Sequence, residues 1–462
     1  MPRRAVRLEV QEEPPPFMAR RHESCFILYN NPSLVFNVST MFPAIPKINK
    51  ALVLSADLEG GMVYMAHDLR RTGADVTKVV LCFQDYTYHW KGIPCVEYDA
   101  PLEEFKDWLR VYVKEHGVDT LVLYNDHRPY NKEGAEVAKE LGIHTLVFEL
   151  GLLRPNWTTI FSSQFDHFSD IKKFWDAHRH DEWPLEEPAV CEARERPDSK
   201  VKILKLVVRG AVARWATLFS SRFLGHRDNR NVRFRDHTVP SLIGTYRFYL
   251  RYFDYRYNAK FKGEWNQKYY LCPLQVHYDT QITERSNFES IEEFIELTTA
   301  SFMKHAPEDT MLIFKVHPMD RGYKDYKTEI ELLKERYQTK RILYIDRIHL
   351  PTALRHARAC ITINSSVGLS AVEAKTPTLV LGEAIYDLEE VTVSCGLDEI
   401  WTSKEKVNKR MVDKFISLLK ITTQAQGVMY QRTLHCDGYA KIQWPPLFKH
   451  LFERNNEDTH SL

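Results

Sequence analysis

The sequence predicts an α/β protein built from two Rossmann-like lobes that face each other across a cleft. Three observations lead there: apolar runs alternate with helix-length stretches from about residue 51, the alternation stops after Trp157, and it resumes at Tyr269. In the first series the runs at 51–55, 79–83, 120–124 and 144–148 have strand length, and the stretches 61–71, 101–116 and 132–141 have helix length. The second series repeats the plan. Its strand-like runs are 269–274, 311–316, 341–345, 359–363 and 378–381, with helical stretches at 288–305, 323–336, 350–357 and 366–374. Strand, helix, strand at this spacing reads as parallel βαβ units. Open sheets of that kind bind ligands beyond the carboxyl ends of their strands, so functional residues are expected in the loops just after strands.

A chain of 462 residues is long enough for a large core in two or three domains. Its 44% hydrophobic and 27% charged residues suit a soluble globular protein. A net charge of +1 gives no global field for nucleic acid, so any anion site must be local. The eight cysteines form no CxxC pair. That argues against zinc and for buried free thiols in a reducing cytoplasm. Residues 1–20, rich in Pro, Arg and Glu, are predicted to be a disordered tail. No apolar stretch has the form of a secretory signal or a membrane helix, so the expectation is a cytoplasmic protein, soluble or lying on a membrane surface. Between about 158 and 268 the chain is irregular and interleaves Arg with aromatic residues. Over 205–260 that mixture suits an interfacial surface, and it equally suits a solvated helical insert packed on a lobe.

Five polar clusters follow strand-like runs. At the end of 311–316 and just after it come Lys315, His317, Pro318, Asp320 and Arg321, where Lys and Arg supply charge and His a hydrogen bond for a phosphate. After 359–363 come Asn364, Ser365, Ser366 and Gly368, a helix start able to hold an anion or to be a simple cap, with Glu373 further down the same helix within reach of a ribose or base. After 269–274 come Gln275 and Asp279; the carboxylate is either a nucleophile at a sugar site or a helix-capping residue. Asp126, Arg128 and Tyr130 follow 120–124, and Glu149, Gly151 and Arg154 follow 144–148. Asp126 or Glu149 is placed to take a proton from an acceptor hydroxyl, or to pair structurally with Arg128 or Arg154. The turn Glu59-Gly60-Gly61 lacks GxGxxG spacing, which disfavours a dinucleotide cofactor.

Taken together and in order, these clusters resemble the Kps-type capsule polysaccharide synthesis family of β-Kdo transferases. The residues that carry it are Asp126 with Arg128-Pro129-Tyr130, Phe148-Glu149 with Gly151 and Arg154-Pro155, Leu274-Gln275 with Asp279 and Gln281, Phe314 to Pro318 with Asp320-Arg321-Gly322, and Asn364 to Ser370. They span about residues 50–400. The chain departs from the family at Asn125, at Leu150 and Leu152, and at Asn131, where the family usually has Gly, Glu, Tyr and His.

The resemblance implies a GT-B glycosyltransferase fold. Its domains would be an acceptor lobe over 21–268 with an insert at about 158–268, a nucleotide-sugar donor lobe over 269–430, and a tail with a return helix over 431–462. It implies transfer of Kdo from CMP-Kdo to a phospholipid of the phosphatidylglycerol type or a short Kdo-glycerol lipid, with retention and with no cofactor or metal. Donor binding falls to Lys315, His317, Pro318, Arg321, Asn364, Ser365, Ser366, Gly368, Glu373 and Gln275, with the phosphate at His317-Pro318. Asp279 corresponds to the nucleophile, Glu149 to the general base with Asp126 beside it, and Arg128, Tyr130 and Arg154 to the acceptor side. Partners would be other capsule synthesis and export proteins at the inner membrane. Two other readings remain at this stage: a transferase or epimerase for a different nucleotide sugar, and a noncatalytic capsule export protein that keeps the lobes. Binding of CMP without turnover of CMP-Kdo would favour the last.

Overall fold

The computed structural model describes residues 41–54, 61–87, 90, 92–126, 128–154, 156–182, 234–277, 279–427 and 438–452, together with Val208, Val212 and Ala216. Two sheets organise them. The first holds β1 (Lys50–Leu54), β2 (Asp75–Val80), β3 (Cys95–Glu97), β4 (Thr120–Tyr124), β5 (His144–Leu150), β6 (Trp157–Ser162) and β12 (Gln424–Gln426), in the order β12-β6-β5-β4-β1-β2-β3. The second holds β7 (Tyr269–Pro273), β8 (Met311–Lys315), β9 (Ile342–Ile345), β10 (Ala359–Thr362) and β11 (Thr378–Val380), in the order β11-β10-β7-β8-β9, all parallel.

Period-two side-chain alternation explains why both sheets are covered on both faces. In β1 and β4, Val53 and Val122 enter one core while Leu52, Leu54, Leu121 and Leu123 enter another. In β7 and β8, Tyr270, Cys272, Leu312 and Phe314 face one side, and Tyr269, Leu271 and Ile313 the other. The helices Gly61–Arg71, Phe105–His116, Pro129–Leu141, Ile291–His305, Lys327–Arg336, Leu350–His356 and Ser366–Glu373 supply the crossovers. The architecture is therefore α/β with two Rossmann-like lobes, as the alternation predicts. Cys82, Cys272 and Cys360 are buried free thiols, whereas Cys95 is exposed.

The lobe boundaries differ from the sequence expectation in three places. The alternation does not end at Trp157, because β6 adds antiparallel to β5 and the helix Ser169–His178 follows it, with Trp175 fully buried in the first lobe's core. The segment from the helix Phe234–Leu250 to residue 268 packs on the second lobe rather than the first. Arg251 bonds Asp325 at 2.8 Å, Asp254 accepts the Asp346 N–H at 2.9 Å, and Phe261 and Trp265 join the second sheet's core. The return to the first lobe begins before 430. The helix Lys409–Thr422 and β12 belong there, Phe415 packing edge-on to Trp175 at 6.0 Å and β12 pairing antiparallel with β6. The disordered-tail expectation for 1–20, most of the Glu59-Gly60-Gly61 turn and most of 205–233 lie outside the described residues. Among the described residues no helix is long and apolar enough to cross a membrane.

Candidate functional site

In the second sheet β7 lies between β8 and β10, so the loops after β7 and β10 part and leave a crevice at the switch of strand order. Gln275 and Asn364 bridge it. Gln275 Nε2 donates to Asn364 Oδ1 at 2.8 Å and to Asp279 Oδ2 at 3.2 Å, while Asn364 Nδ2 donates to the Gln281 carbonyl at 2.8 Å. Asp279 is also the N-cap of the helix Thr280–Glu284, its Oδ1 accepting the Gln281 N–H at 3.1 Å. Capping and lining the cleft are thus both roles of this carboxylate, which is held by one bond on each oxygen.

His317 caps the short turn Pro318–Gly322, and its Nδ1 accepts the Met319 N–H at 3.2 Å. That bond leaves the ring proton on Nε2. Burial, and then the nearby Lys315 charge, lower the His317 pKa, so the ring is a neutral Nε2–H donor at neutral pH. Burial pushes Lys315 down to about 8, its ammonium donating to the Val316 carbonyl at 2.9 Å. Arg321, expected at the donor phosphate, is held by a carboxylate in this structure. Its guanidinium is committed to the buried Asp346, with Nε at 2.9 and 2.8 Å from the two oxygens, and it lines neither cavity described below.

The start of the helix Ser366–Glu373 is a true cap, with Ser365 Oγ accepting the Val367 N–H at 3.2 Å. Gly368 acts by packing rather than by offering a backbone N–H. A Cβ there would lie 2.2 Å from the Tyr386 hydroxyl, which itself donates to the Ser365 carbonyl, and the Gly368 N–H is already used on that carbonyl at 2.8 Å. Burial raises Glu373 to about 7, against the lowering effect of Lys420 and Lys375.

In the first lobe Asn125 takes a left-handed φ of 61° at the end of β4, and the buried Asn131 donates to the Tyr124 and Asn125 carbonyls, each at 2.7 Å. Asn131 thereby pins the loop that carries Asp126. Burial first, and the Asp126 charge second, raise Glu149 to about 7, with Arg128 opposing them. Tyr130, expected on the acceptor side, packs in the first lobe's core. It is buried at 6% exposure and sits edge-on to Phe105 at 4.9 Å, because the first turn of its helix points it into the core. Arg128 lies over the Tyr124 ring at 5.3 Å and lines neither cavity. Gly151 lets β6 approach, since a Cβ there would meet the Trp157 carbonyl carbon at 2.3 Å.

Two adjoining cavities result. The first, of about 400 Å³, joins the lobes: Asp126, Glu149, Gln275, Asp279, His317, Asn364, Ser365 and Ser366 all line it. The second, of about 690 Å³, is lined by Lys315, His317, Pro318, Ser366, Glu373 and Arg154, with an apolar wall of Leu350, Pro351 and Leu354. His317 and Ser366 belong to both and form their junction. Arg154, expected on the acceptor side, therefore lines the same cavity as several of the expected donor residues. Sequence reasoning missed Phe161, His167, Phe168 and Arg285, which line the first cavity. His167 stacks on Phe161 at 3.9 Å, and burial lowers it to about 4; Arg285 lies over Phe168 at 4.1 Å. A strand continuing past Trp157 was the available signal. Among the described residues no group of three or more His, Cys, Asp and Glu is placed to hold a metal ion.

Residues 217–430 match the family described as capsule polysaccharide biosynthesis protein. The chain is 30% identical over 393 residues to the capsule polysaccharide export protein KpsS of Escherichia coli, across 82% of this chain and 97% of that protein. It is 27% identical over 356 residues to the capsule polysaccharide modification protein LipB of Neisseria meningitidis serogroup B, across 75% of this chain and 83% of the other. Among solved structures, Thermosulfurimonas dismutans KpsC, a beta Kdo 2,7 transferase, aligns over 82% of this chain and 92% of that one, at 12% identity and a TM-score of 0.40.

Proposed function

This chain belongs to the capsule polysaccharide biosynthesis family, and from that premise we propose that it is a glycosyltransferase carrying Kdo from CMP-Kdo to a lipid acceptor. The acceptor is a phospholipid of the phosphatidylglycerol type, so the enzyme works on the cytoplasmic face of the inner membrane, among other capsule synthesis and export proteins. Transfer retains the anomeric configuration and needs no metal.

One observation carries this reading: two chambers of different chemistry meet at His317 and Ser366. A nucleoside monophosphate joined to an acidic sugar has the same plan of base and ribose, one phosphate, then sugar. In the larger chamber the base lies on Leu350, Pro351 and Leu354, with Glu373 facing the nucleoside. The phosphate sits at the junction, where the His317 Nε2–H donates to it and Lys315 supplies charge. The sugar enters the smaller chamber. There Asp279 Oδ attacks the anomeric carbon as the bond to the CMP oxygen breaks, giving a glycosyl–Asp279 ester and free CMP. Glu149, from the other lobe, takes the proton of the acceptor hydroxyl as that oxygen displaces Asp279. A carboxyl titrating near 7 suits a base at neutral pH.

The test is to incubate the purified chain with CMP-Kdo and phosphatidylglycerol vesicles and to weigh the lipid by mass spectrometry. Lipid heavier by one Kdo is expected. CMP binding without any transfer would overturn the enzyme in favour of a noncatalytic export protein, and transfer from other nucleotide sugars alone would overturn the donor.

A further inference from the structure

The helix Phe234–Leu250 and the turn Arg251–Arg256 that continues it have two distinct sides. The inner side is locked to the second lobe. A Cβ on Gly244 would lie 3.3 Å from the Gly322 nitrogen, Arg247 Nη1 donates to the Arg321 carbonyl at 2.8 Å, and Arg251 reaches Asp325 at 2.8 Å while lying over the Tyr344 ring at 4.8 Å. Positions 244, 247, 248 and 251 are one helical stripe, and Phe248 completes it beneath the Arg347 guanidinium at 3.8 Å. The outer side is apolar. Leu242, Tyr246, Tyr249, Leu250 and Phe253 are each between 59% and 72% exposed, and four of them repeat at spacings of four, three and four.

An exposed apolar stripe of this size on a helix is ordinarily covered. The surrounding sequence says by what. Residues 205–260 hold twelve Lys and Arg against three Asp and no Glu, in a chain whose net charge is +1. Within the described part, Arg256, Lys260 and Lys262 are exposed just beyond the stripe. Exposed Tyr, Phe and Leu flanked by surplus cations match a bilayer interface with anionic headgroups.

We propose that the outer face of this helix, centred on Tyr246, Tyr249 and Phe253, docks on an anionic lipid bilayer. Because its inner face grips Gly322 and Arg321, in the turn that His317 caps, docking fixes the donor loop relative to the membrane plane. The inference deepens the lipid-acceptor reading, yet its test needs no turnover, so each can fail without the other.

The test is sedimentation of the full chain with vesicles of phosphatidylcholine alone or mixed with phosphatidylglycerol. Binding to the mixed vesicles only, weakened by added salt, is expected. The double variant Tyr246→Ser/Phe253→Ser should bind them roughly tenfold more weakly or worse, with CMP affinity unchanged as proof of folding. The salt series on the unaltered protein tests the same point without a variant. Equal binding to neutral vesicles, no binding to either, or unchanged binding by a folded double variant overturns the proposal. So does light scattering that shows the double variant splitting a dimer while vesicle binding stays intact, since the face would then belong to a second copy.

Discussion

In the proposed donor complex His317 donates from Nε2, because Met319 already occupies Nδ1, and this fixes what its removal costs. His317→Ala removes a hydrogen bond to a charged phosphate, worth about 1.5–3 kcal/mol, or roughly ten- to a hundredfold in the Kd for CMP. Titration calorimetry checks it; an unchanged Kd in folded protein removes the phosphate role. Lys315 titrates near 8, so CMP affinity should fall as pH rises through about 8, and Lys315→Met should flatten that dependence. Glu149 gives a double prediction. A carboxyl whose folded pKa is raised to about 7 binds its proton more tightly in the folded state, so its ionisation costs stability as pH rises from the carboxylate range through 7. Glu149→Gln should therefore slow transfer, yet raise stability at pH 8 by about 1–3 kcal/mol, with no gain near pH 4, in thermal melts. These candidates were legible in the sequence only as residue types after strands. Which carboxylate is perturbed depends on burial, and the pairing of Arg321 with the buried Asp346 and of Tyr130 with Phe105 was not legible because those partners are not local in sequence.

At the scale of elements, the parallel βαβ units were readable because their strands are continuous apolar runs bounded by helices of clear period. β4 occupies the run 120–124 as read, and β7, β8 and β10 end within a residue of their runs. What escaped were pieces whose role is set by distant partners: β6, a polar and aromatic strand completed by β5 and β12, and the helix Lys409–Thr422, which crosses back to the first lobe. Phe415→Ala should thus destabilise the first lobe by about 3–5 kcal/mol, although the residue follows the second lobe in sequence. Denaturant unfolding followed by tryptophan fluorescence reads this. The turn after β10 is equally tight. Gly368→Ala drives a methyl into Tyr386, which holds the Ser365 carbonyl. A loss of about 1–3 kcal/mol is expected, with weaker CMP binding because Ser365 and Ser366 shift together; an unchanged melting temperature would refute that packing role.

For the whole molecule, the proposed chemistry divides between the lobes. Asp279 and the junction residues come from the second, and Asp126 and Glu149 from the first. An account in which Asp279 attacks and Glu149 activates the acceptor predicts that the half-reactions separate on mutation. Asp279→Asn should bind CMP yet transfer nothing, whereas Glu149→Gln should form the sugar ester and fail to pass it on. The most direct test is intact-protein mass spectrometry of Glu149→Gln after mixing with CMP-Kdo, with peptide mapping of any added mass. The account predicts one Kdo attached at Asp279 and none on the Asp279→Asn protein. An adduct mapped to another residue, or near-normal transfer by Asp279→Asn, would contradict it.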